Sequence, residues 1–205
     1  SIGAAVTIQE LLSNSQTPQI IKEAASHIIN RNIREMATIG GNIAANKSCS
    51  NLLPVLCSLA AELRIETDAG EKIVDVYDYC RKEDNQLIKD IYISADNLKK
   101  SCGIAKFTRT ANDISFLTAA VSFSANEKKI LKDLRIFIGG VDKHILRLID
   151  VEKQFTDKPL PPKQEIEKIV SSVVSPIGDV RGSAEFKKYI AGVIVADCFY
   201  KANKS

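Results

Sequence analysis

The 205-residue sequence has no tryptophan and a single methionine, and none of its five cysteines belongs to a CxxC pair. An odd number of scattered cysteines argues against a disulfide framework and against a zinc or iron–sulfur site in this chain, and it favours a reducing, cytoplasmic setting. HExxH, nucleophile-elbow, P-loop and GxGxxG motifs are also absent from the sequence. We therefore expect any reactivity to depend on a bound cofactor or on a partner protein.

The sequence also lacks a large excess of either charge sign, because 28 basic and 25 acidic residues are interspersed and the net charge is only +3. Without a basic stripe or interleaved basic and aromatic residues, the sequence predicts no nucleic-acid partner. No apolar run reaches the length of a membrane span, so we expect no spanning helix. The two histidines, His27 and His144, fall in predicted helices without metal-ligand spacing, and they are interpreted as packing or surface residues rather than ligands.

The first half of the chain mixes helices and strands. Thr7 is placed to cap a short helix over "IQELL", and Pro18 precedes "QIIKEAASHII", which has apolar residues at helical spacing. "NLLPVLCSLA" is typical of a short buried helix. "AELRIET" and "EKIVDVY" alternate around a glycine-containing turn and predict a hairpin, and "LIKDIYI", residues 87–93, predicts a further strand.

A polar stretch, "ADNLKKSCG", suggests a boundary that divides the chain into residues 1–97 and 98–205. Three strands are predicted beyond it, in "GIAKFTRT", "ISFLTAAVSFSA" and "ILKDLRIFIGG". Helices are expected over "DKHILRLIDVEKQF" and "QEIEKIVSSVV", followed by a long final helix capped by Ser183. We expect one face of that helix to carry Phe186, Tyr189, Ile190, Val193 and Ile194. A three-stranded antiparallel sheet followed by a helical bundle makes the fold class α+β.

The stretch "ATIGGNIAANKSCSNLLPVL" contains two adjacent glycines, Gly40 and Gly41, flanked by short polar residues. A glycine pair permits close approach of the backbone to other backbone or to a ligand, because no Cβ is in the way. An ordinary tight turn is the alternative explanation.

Four motifs in order resemble the flavin-binding medium subunits of molybdenum hydroxylases, the family of xanthine dehydrogenase and carbon monoxide dehydrogenase flavoproteins. They are "IREMATIGGNIAANKSCSNLLPVL", "KFTRTANDISFLTAAVSF", "LRIFIGGVDKHILRLIDVEKQF" and "PIGDVRGSAEFKKYIAGVIV". The resemblance implies that residues 1–97 are the second part of a para-cresol methylhydroxylase-like FAD-binding domain and that residues 98–205 are the flavoprotein C-terminal domain. The family's first glycine-rich phosphate loop has no counterpart here, so we expect the N-terminal FAD subdomain to lie outside this chain.

The resemblance also implies FAD as cofactor and a set of residues that contact it. In the family, the Thr-Ile-Gly-Gly-Asn segment presents backbone N–H groups to the FAD pyrophosphate. Asn51 stands where the family has an aspartate that contacts the flavin nucleotide, and Lys47-Ser48 replaces its Ser-Pro pair. Ile88 matches an apolar position near the flavin ring or is simply strand core, and Lys106 matches a ring-proximal lysine or is a solvated strand residue. The implied FAD contacts are Thr38, Ile39, Gly40, Gly41, Asn42, Asn51, Ile88 and Lys106.

The function implied by the resemblance is electron transfer. A molybdopterin subunit would hydroxylate the substrate, 2Fe–2S centres on an iron–sulfur subunit would carry the electrons, and FAD on this chain would pass them to NAD or another acceptor. Two alternatives are a cofactor-free assembly module that keeps the fold and another FAD-superfamily oxidoreductase, such as a cell-wall enolpyruvyl reductase.

Overall fold

The computed structural model describes residues 1–82, 86–110, 113–179 and 182–204. Two four-stranded sheets organise them, one in each half of the chain. The elements of the first half are β1 Ile2–Gly3, α1 Ile8–Ser13, α2 Gln19–Ser26, α3 Arg31–Met36, α4 Ile39–Ala44, α5 Leu53–Ser58, β2 Glu62–Thr67, β3 Gly70–Asp75, α6 Val76–Lys82, β4 Leu87–Tyr92 and α7 Ala95–Leu98.

The second half begins with the strands and ends with the helices. Its elements are β5 Ser101–Phe107, β6 Leu117–Ala125, β7 Leu131–Gly139, β8 Leu146–Arg147, α8 Ile149–Phe155, α9 Lys163–Val173 and α10 Ala184–Ala202. The predicted α+β class is confirmed, with one addition: the two-residue strand β8 extends the expected three-stranded sheet.

The N-terminal sheet has the strand order β1-β4-β2-β3, and its paired strands are antiparallel. The predicted hairpin is β2–β3, and its turn uses Gly70 at φ 101°, a conformation that favours glycine. Thr7 caps α1 as expected, since its hydroxyl accepts from Glu10 N and the Glu10 carboxylate accepts from Thr7 N.

The C-terminal sheet, in the order β5-β6-β7-β8, is buried on both faces. Because side chains alternate along a strand, Ile104 and Ala120 pack in the core of the N-terminal half, whereas Ala105 and Ala119 pack in the core formed with α8, α9 and α10. This sheet therefore contributes side chains to the cores of both halves, and residues of the first half pack against one of its faces.

Two helix predictions differ from the structure. Leu146 and Arg147, expected to be helical, form β8 because they pair with Ile138 and Phe137 of β7. The face expected on α10 is also wrong in part, since Phe186 and Tyr189 are exposed while Ile190 and Ile194 are buried. The helix contacts both α9 and the sheet, so its buried surface includes Lys187, Ala191, Gly192, Val195, Ala196, Cys198, Phe199 and Ala202.

Candidate functional site

The glycine pair lies in α4, which begins just after Thr38. The Thr38 hydroxyl caps this helix by accepting from Gly41 N at 3.0 Å, and the Thr38 carbonyl accepts from Asn42 N at 2.9 Å. Ile39 N and Gly40 N donate to the carbonyls of Val6 and Ala4, each at 2.9 Å. These four N–H groups therefore have partners within the chain, which differs from the expected arrangement in which they face a pyrophosphate.

The two glycines have different surroundings. A Cβ on Gly40 would lie 2.6 Å from Ala4 Cβ and 2.8 Å from Ala4 O, so packing within the chain requires glycine there. Gly41 is exposed, and in the described part of the chain a Cβ on it would meet only Thr38 Oγ1, at 3.0 Å. Neither glycine has a positive φ. The absence of a side chain at Gly41 therefore leaves open space on the outside of the molecule, where a ligand can approach the backbone.

The side chain of Asn42 is held by Ser50, a residue that the family motifs in the sequence did not point to. Its Oδ1 accepts from Ser50 Oγ at 2.7 Å. Ser50 belongs to the loop between α4 and α5, and it is buried. The hydrogen bond joins the glycine motif to that loop, and it leaves the Nδ2 end of the Asn42 amide as the donor end.

Asn51 faces the C-terminal sheet. Its Oδ1 accepts from the hydroxyls of Ser115 and Thr118, the latter at 3.2 Å, and all three residues are buried. Like Asn42, Asn51 has its amide oxygen occupied by hydroxyl donors. An aspartate in this position would satisfy the same two hydroxyls, because a carboxylate oxygen accepts as an amide oxygen does.

Lys106 lies beside this contact. In the β5–β6 pairing Lys106 is directly opposite Thr118, so the two side chains are on the same face of the sheet. Lys106 Nζ donates to the carbonyl of His27 at 3.1 Å, and burial lowers its pKa. Thr118 thus donates to Asn51 and is paired with Lys106 across the two strands.

His27 lies close to two positive charges, those of Lys106 and Lys201. Burial, together with the positive charges of Lys106 and Lys201, lowers the pKa of its imidazole to about 4. Its buried Nδ1 has no hydrogen-bond partner among the described residues. His27 is therefore neutral near pH 7, and the positive charge in this region belongs to Lys106 and Lys201.

Ile88 lies apart from these polar contacts. It is opposite Ile65 in the β2–β4 pairing, is 7% exposed, and packs in the N-terminal core. The adjacent Lys89 carbonyl accepts from Ala4 N, and Ala4 in turn accepts from Gly40 N. Ile88 is thus a core residue of its strand, and the neighbouring Lys89 is linked to the glycine pair through Ala4, the residue after β1.

Sequence reasoning missed Ser50, Ser115 and Thr118. Ser115 and Thr118 are more than 60 positions from Asn51, and no local pattern reports such a contact. Only the buried position of Thr118 within an apolar strand, "FLTAAVSF", offered a signal, because a buried hydroxyl needs a partner.

Two family models match the chain. Residues 1–94 match the FAD binding domain in molybdopterin dehydrogenase, and residues 104–202 match the CO dehydrogenase flavoprotein C-terminal domain. The uncharacterized protein YgfM of Escherichia coli is 34% identical over 198 residues, which cover 97% of this chain and 71% of YgfM. The chain belongs to the FAD-binding medium-subunit family of molybdenum hydroxylases.

Other members of this medium-subunit family are more distant. The glyceraldehyde dehydrogenase medium chain of Sulfolobus acidocaldarius is 26% identical, with 97% of this chain and 74% of the relative covered. Reconstituted CO dehydrogenase from Oligotropha carboxidovorans has the same fold, with a TM-score of 0.87 at 22% identity over 98% of this chain and 74% of the other. In the fourth motif of the family, Val180 and Arg181 lie outside the described residues.

The residues of the Thr-Ile-Gly-Gly-Asn segment fit a phosphate-bearing ligand. They offer it side-chain donors, because the main-chain N–H groups of residues 39–42 already have partners within the chain. Gly41 provides the open approach. Thr38 Oγ1 accepts from Gly41 N, so its own proton can go to a further acceptor, and Asn42 offers Nδ2. An exposed glycine flanked by two side-chain donors suits an anion that is rich in acceptor oxygens.

Proposed function

We propose that this chain is the FAD-binding electron-transfer subunit of a molybdenum hydroxylase complex, and that its FAD passes electrons from 2Fe–2S centres to NAD or another acceptor. When bound, FAD supplies the exchange of electrons between one-electron and two-electron carriers. The chain's own residues bind the nucleotide, orient it and limit the access of water to it.

The observation that carries this proposal is the contrast at the glycine pair. Packing against Ala4 requires glycine at position 40, whereas among the described residues a Cβ on Gly41 would meet no atom beyond the hydroxyl of Thr38. Glycine at an exposed helical position lowers helix stability by about 0.5–1 kcal/mol relative to alanine. Close approach of a ligand to the backbone accounts for a glycine there, and FAD is the ligand that the family implies.

Each predicted contact has a role in the proposal. Thr38, Gly41 and Asn42 hold the phosphate side, with Ile39 and Gly40 fixing the helix start beneath them. Asn51 and Lys106 contact the nucleotide from the side of the C-terminal sheet, since Thr118 of that sheet donates to Asn51 and is paired with Lys106. Ile88 is proposed to support the flavin ring from the strand core. The positive charge of Lys106 favours the anionic ligand and any negative charge that the ring gains.

We further propose an iron–sulfur subunit and a molybdopterin subunit as partners, and that this chain is inactive alone if the N-terminal FAD subdomain is missing from it. Several relatives are named as parts of larger enzymes, among them a nicotine 6-hydroxylase medium subunit and a subunit of a 6-hydroxypseudooxynicotine dehydrogenase complex. The described residues contain no group of three or more His, Cys, Asp or Glu side chains able to hold a metal ion. We assign the substrate chemistry to a partner subunit, as the family resemblance implies.

The cytoplasmic setting stays a prediction. All five cysteines are free thiols, four of them buried. Within the described part of the chain, no helix combines the length and the apolarity that crossing a membrane would require.

The intact complex from the source cell tests the proposal. We expect the purified complex to show flavin absorbance and the FAD-bearing subunit to copurify with iron–sulfur and molybdopterin subunits. If NAD is the acceptor, NADH should bleach the flavin bands. If NAD is not the acceptor, NADH should leave these bands unchanged, and only an artificial acceptor should reoxidise the reduced flavin. A complex without flavin would contradict the proposal and favour the assembly-module alternative.

A further inference from the structure

Ser50 uses its whole hydrogen-bonding capacity inside the protein. Its Oγ accepts from Leu52 N at 3.3 Å and from Leu53 N at 3.2 Å, and it donates to Asn42 Oδ1 at 2.7 Å. A serine hydroxyl has two acceptor lone pairs and one proton. Because two backbone N–H groups occupy the lone pairs, the single proton is committed to Asn42.

This commitment fixes the orientation of the Asn42 amide. If the amide were flipped, Nδ2 would face an oxygen that already accepts two N–H bonds, and the Ser50 proton would lose its acceptor. Asn42 therefore keeps its oxygen toward Ser50 and its Nδ2 away from it. Asn42 is half-buried and directly follows the exposed Gly41.

We infer that Ser50 is a positioning residue for the phosphate side of the flavin site, because it fixes Asn42 as a hydrogen-bond donor. The inference rests on the proposed function and deepens it. An amide free to rotate can offer phosphate either its donor end or its oxygen, and only the donor end is attractive to an anion. Ser50 removes the repulsive orientation without touching the ligand itself.

The expected effect follows from the strength of a hydrogen bond to a charged acceptor. Loss of such a bond corresponds to about a 10- to 100-fold change in affinity. Ser50 also satisfies the start of α5, so Ser50→Ala changes loop stability as well as the orientation of Asn42. A single substitution cannot separate these two effects, whereas a double-mutant cycle can.

The experiment measures FAD affinity of the intact gene product by fluorescence titration for wild type, Ser50→Ala, Asn42→Ala and the double variant. We expect each single variant to bind FAD about 10- to 100-fold more weakly. In the Asn42→Ala background, Ser50→Ala should cost no more than about threefold further, because its target is gone. Equal losses from Ser50→Ala in both backgrounds, or none in either, would overturn the inference.

Two further variants keep the inference testable if Ser50→Ala does not fold. Asn42→Asp keeps an acceptor for Ser50 but replaces the donor by a second oxygen, so it should lose at least about 100-fold in FAD affinity with an unchanged thermal midpoint. Wild-type affinity in Asn42→Asp would overturn the inference. Ser172→Ala in α9 is the control and should bind as wild type does, because the Ser172 hydroxyl donates to Ile169 O within its own helix.

The same titration separates this inference from the proposed function. If wild type binds no FAD, the proposed function fails and the inference fails with it. If wild type binds FAD and the cycle is additive, the flavin site stands and Ser50 has only a structural role in the loop.

Discussion

The glycine motif and the C-terminal sheet use glycine for opposite reasons. In the sheet, a Cβ on Gly103 would collide with the backbone of Cys198 in α10, and a Cβ on Gly139 would collide with the backbone of Ser48. In the motif, a Cβ on the exposed Gly41 would meet, among the described residues, a single hydroxyl, that of Thr38 at 3.0 Å. Glycine identity alone is therefore no sign of a ligand, and what lies beyond the Cα atom decides between packing and binding.

The largest expected effect is at Gly103, where β5 packs directly on α10. We expect Gly103→Ala to lower the free energy of unfolding by about 3 kcal/mol, because overpacking forces two backbones apart. Urea denaturation measures this loss. Gly3→Ala in β1 is the matched control, since its Cβ would lie 3.8 Å from Val6 Cγ2, an ordinary contact. Equal stability of the two variants would show that the sheet does not need its glycine.

The next effect is at Asn51, where the loop that follows the glycine motif is attached to the sheet. Asn51→Leu leaves the buried hydroxyls of Ser115 and Thr118 without their acceptor, which should cost about 2 kcal/mol of unfolding free energy. Asn51→Asp keeps the acceptor and should remain within about 1 kcal/mol of wild type. Chemical denaturation of both variants checks this, and equal losses would mean that the oxygen of Asn51 does not hold the loop.

The smallest effect is the pH dependence caused by His27. Its pKa is lowered to about 4 in the folded protein, so the unfolded chain takes up a proton first as pH falls below its ordinary value near 6.5. Stability is therefore full above that value and decreases on acidification toward pH 4. At pH 5 we expect a loss of about 1 kcal/mol relative to pH 7, with allowance for partial solvent exposure.

His27→Gln isolates this contribution. The Lys106 bond goes to the backbone carbonyl of residue 27 and remains possible in the variant. We expect the difference between unfolding free energies at pH 5 and pH 7 to shrink by about 1 kcal/mol in His27→Gln. An unchanged difference would assign the acid sensitivity to other groups.

Local patterns predicted most elements of the fold, because alternation and capping are short-range properties. The Thr7 cap, the β2–β3 hairpin and the Ser183 cap of α10 are where the sequence indicates them. The helix predicted over residues 142–148 is wrong, because Leu146 and Arg147 pair with β7 and this pairing outweighs the helical periodicity of the sequence. The buried face of α10 was mispredicted because two layers contact the helix rather than one.

The site was predictable as a motif but not as a set of contacts. The glycine pair and Asn42 are visible in the sequence, yet the bonds from Ile39 N and Gly40 N go to Val6 and Ala4, more than 30 positions earlier. Likewise, Asn51 meets Ser115 and Thr118 only through the fold. Long-range partners of this kind decide which donors remain for a ligand, and no local spacing reports them.

The most direct test of the outward-facing role of Gly41 compares Gly41→Val with Gly40→Val in the intact gene product, by FAD titration and by urea denaturation. For Gly41→Val we predict at least a hundredfold loss of FAD affinity, equivalent to about 3 kcal/mol, with the free energy of unfolding within about 0.5 kcal/mol of wild type. Gly40→Val should instead lose stability, because its side chain would collide with Ala4. Wild-type FAD affinity in a folded Gly41→Val protein would contradict the account and leave the glycine pair as an ordinary structural element.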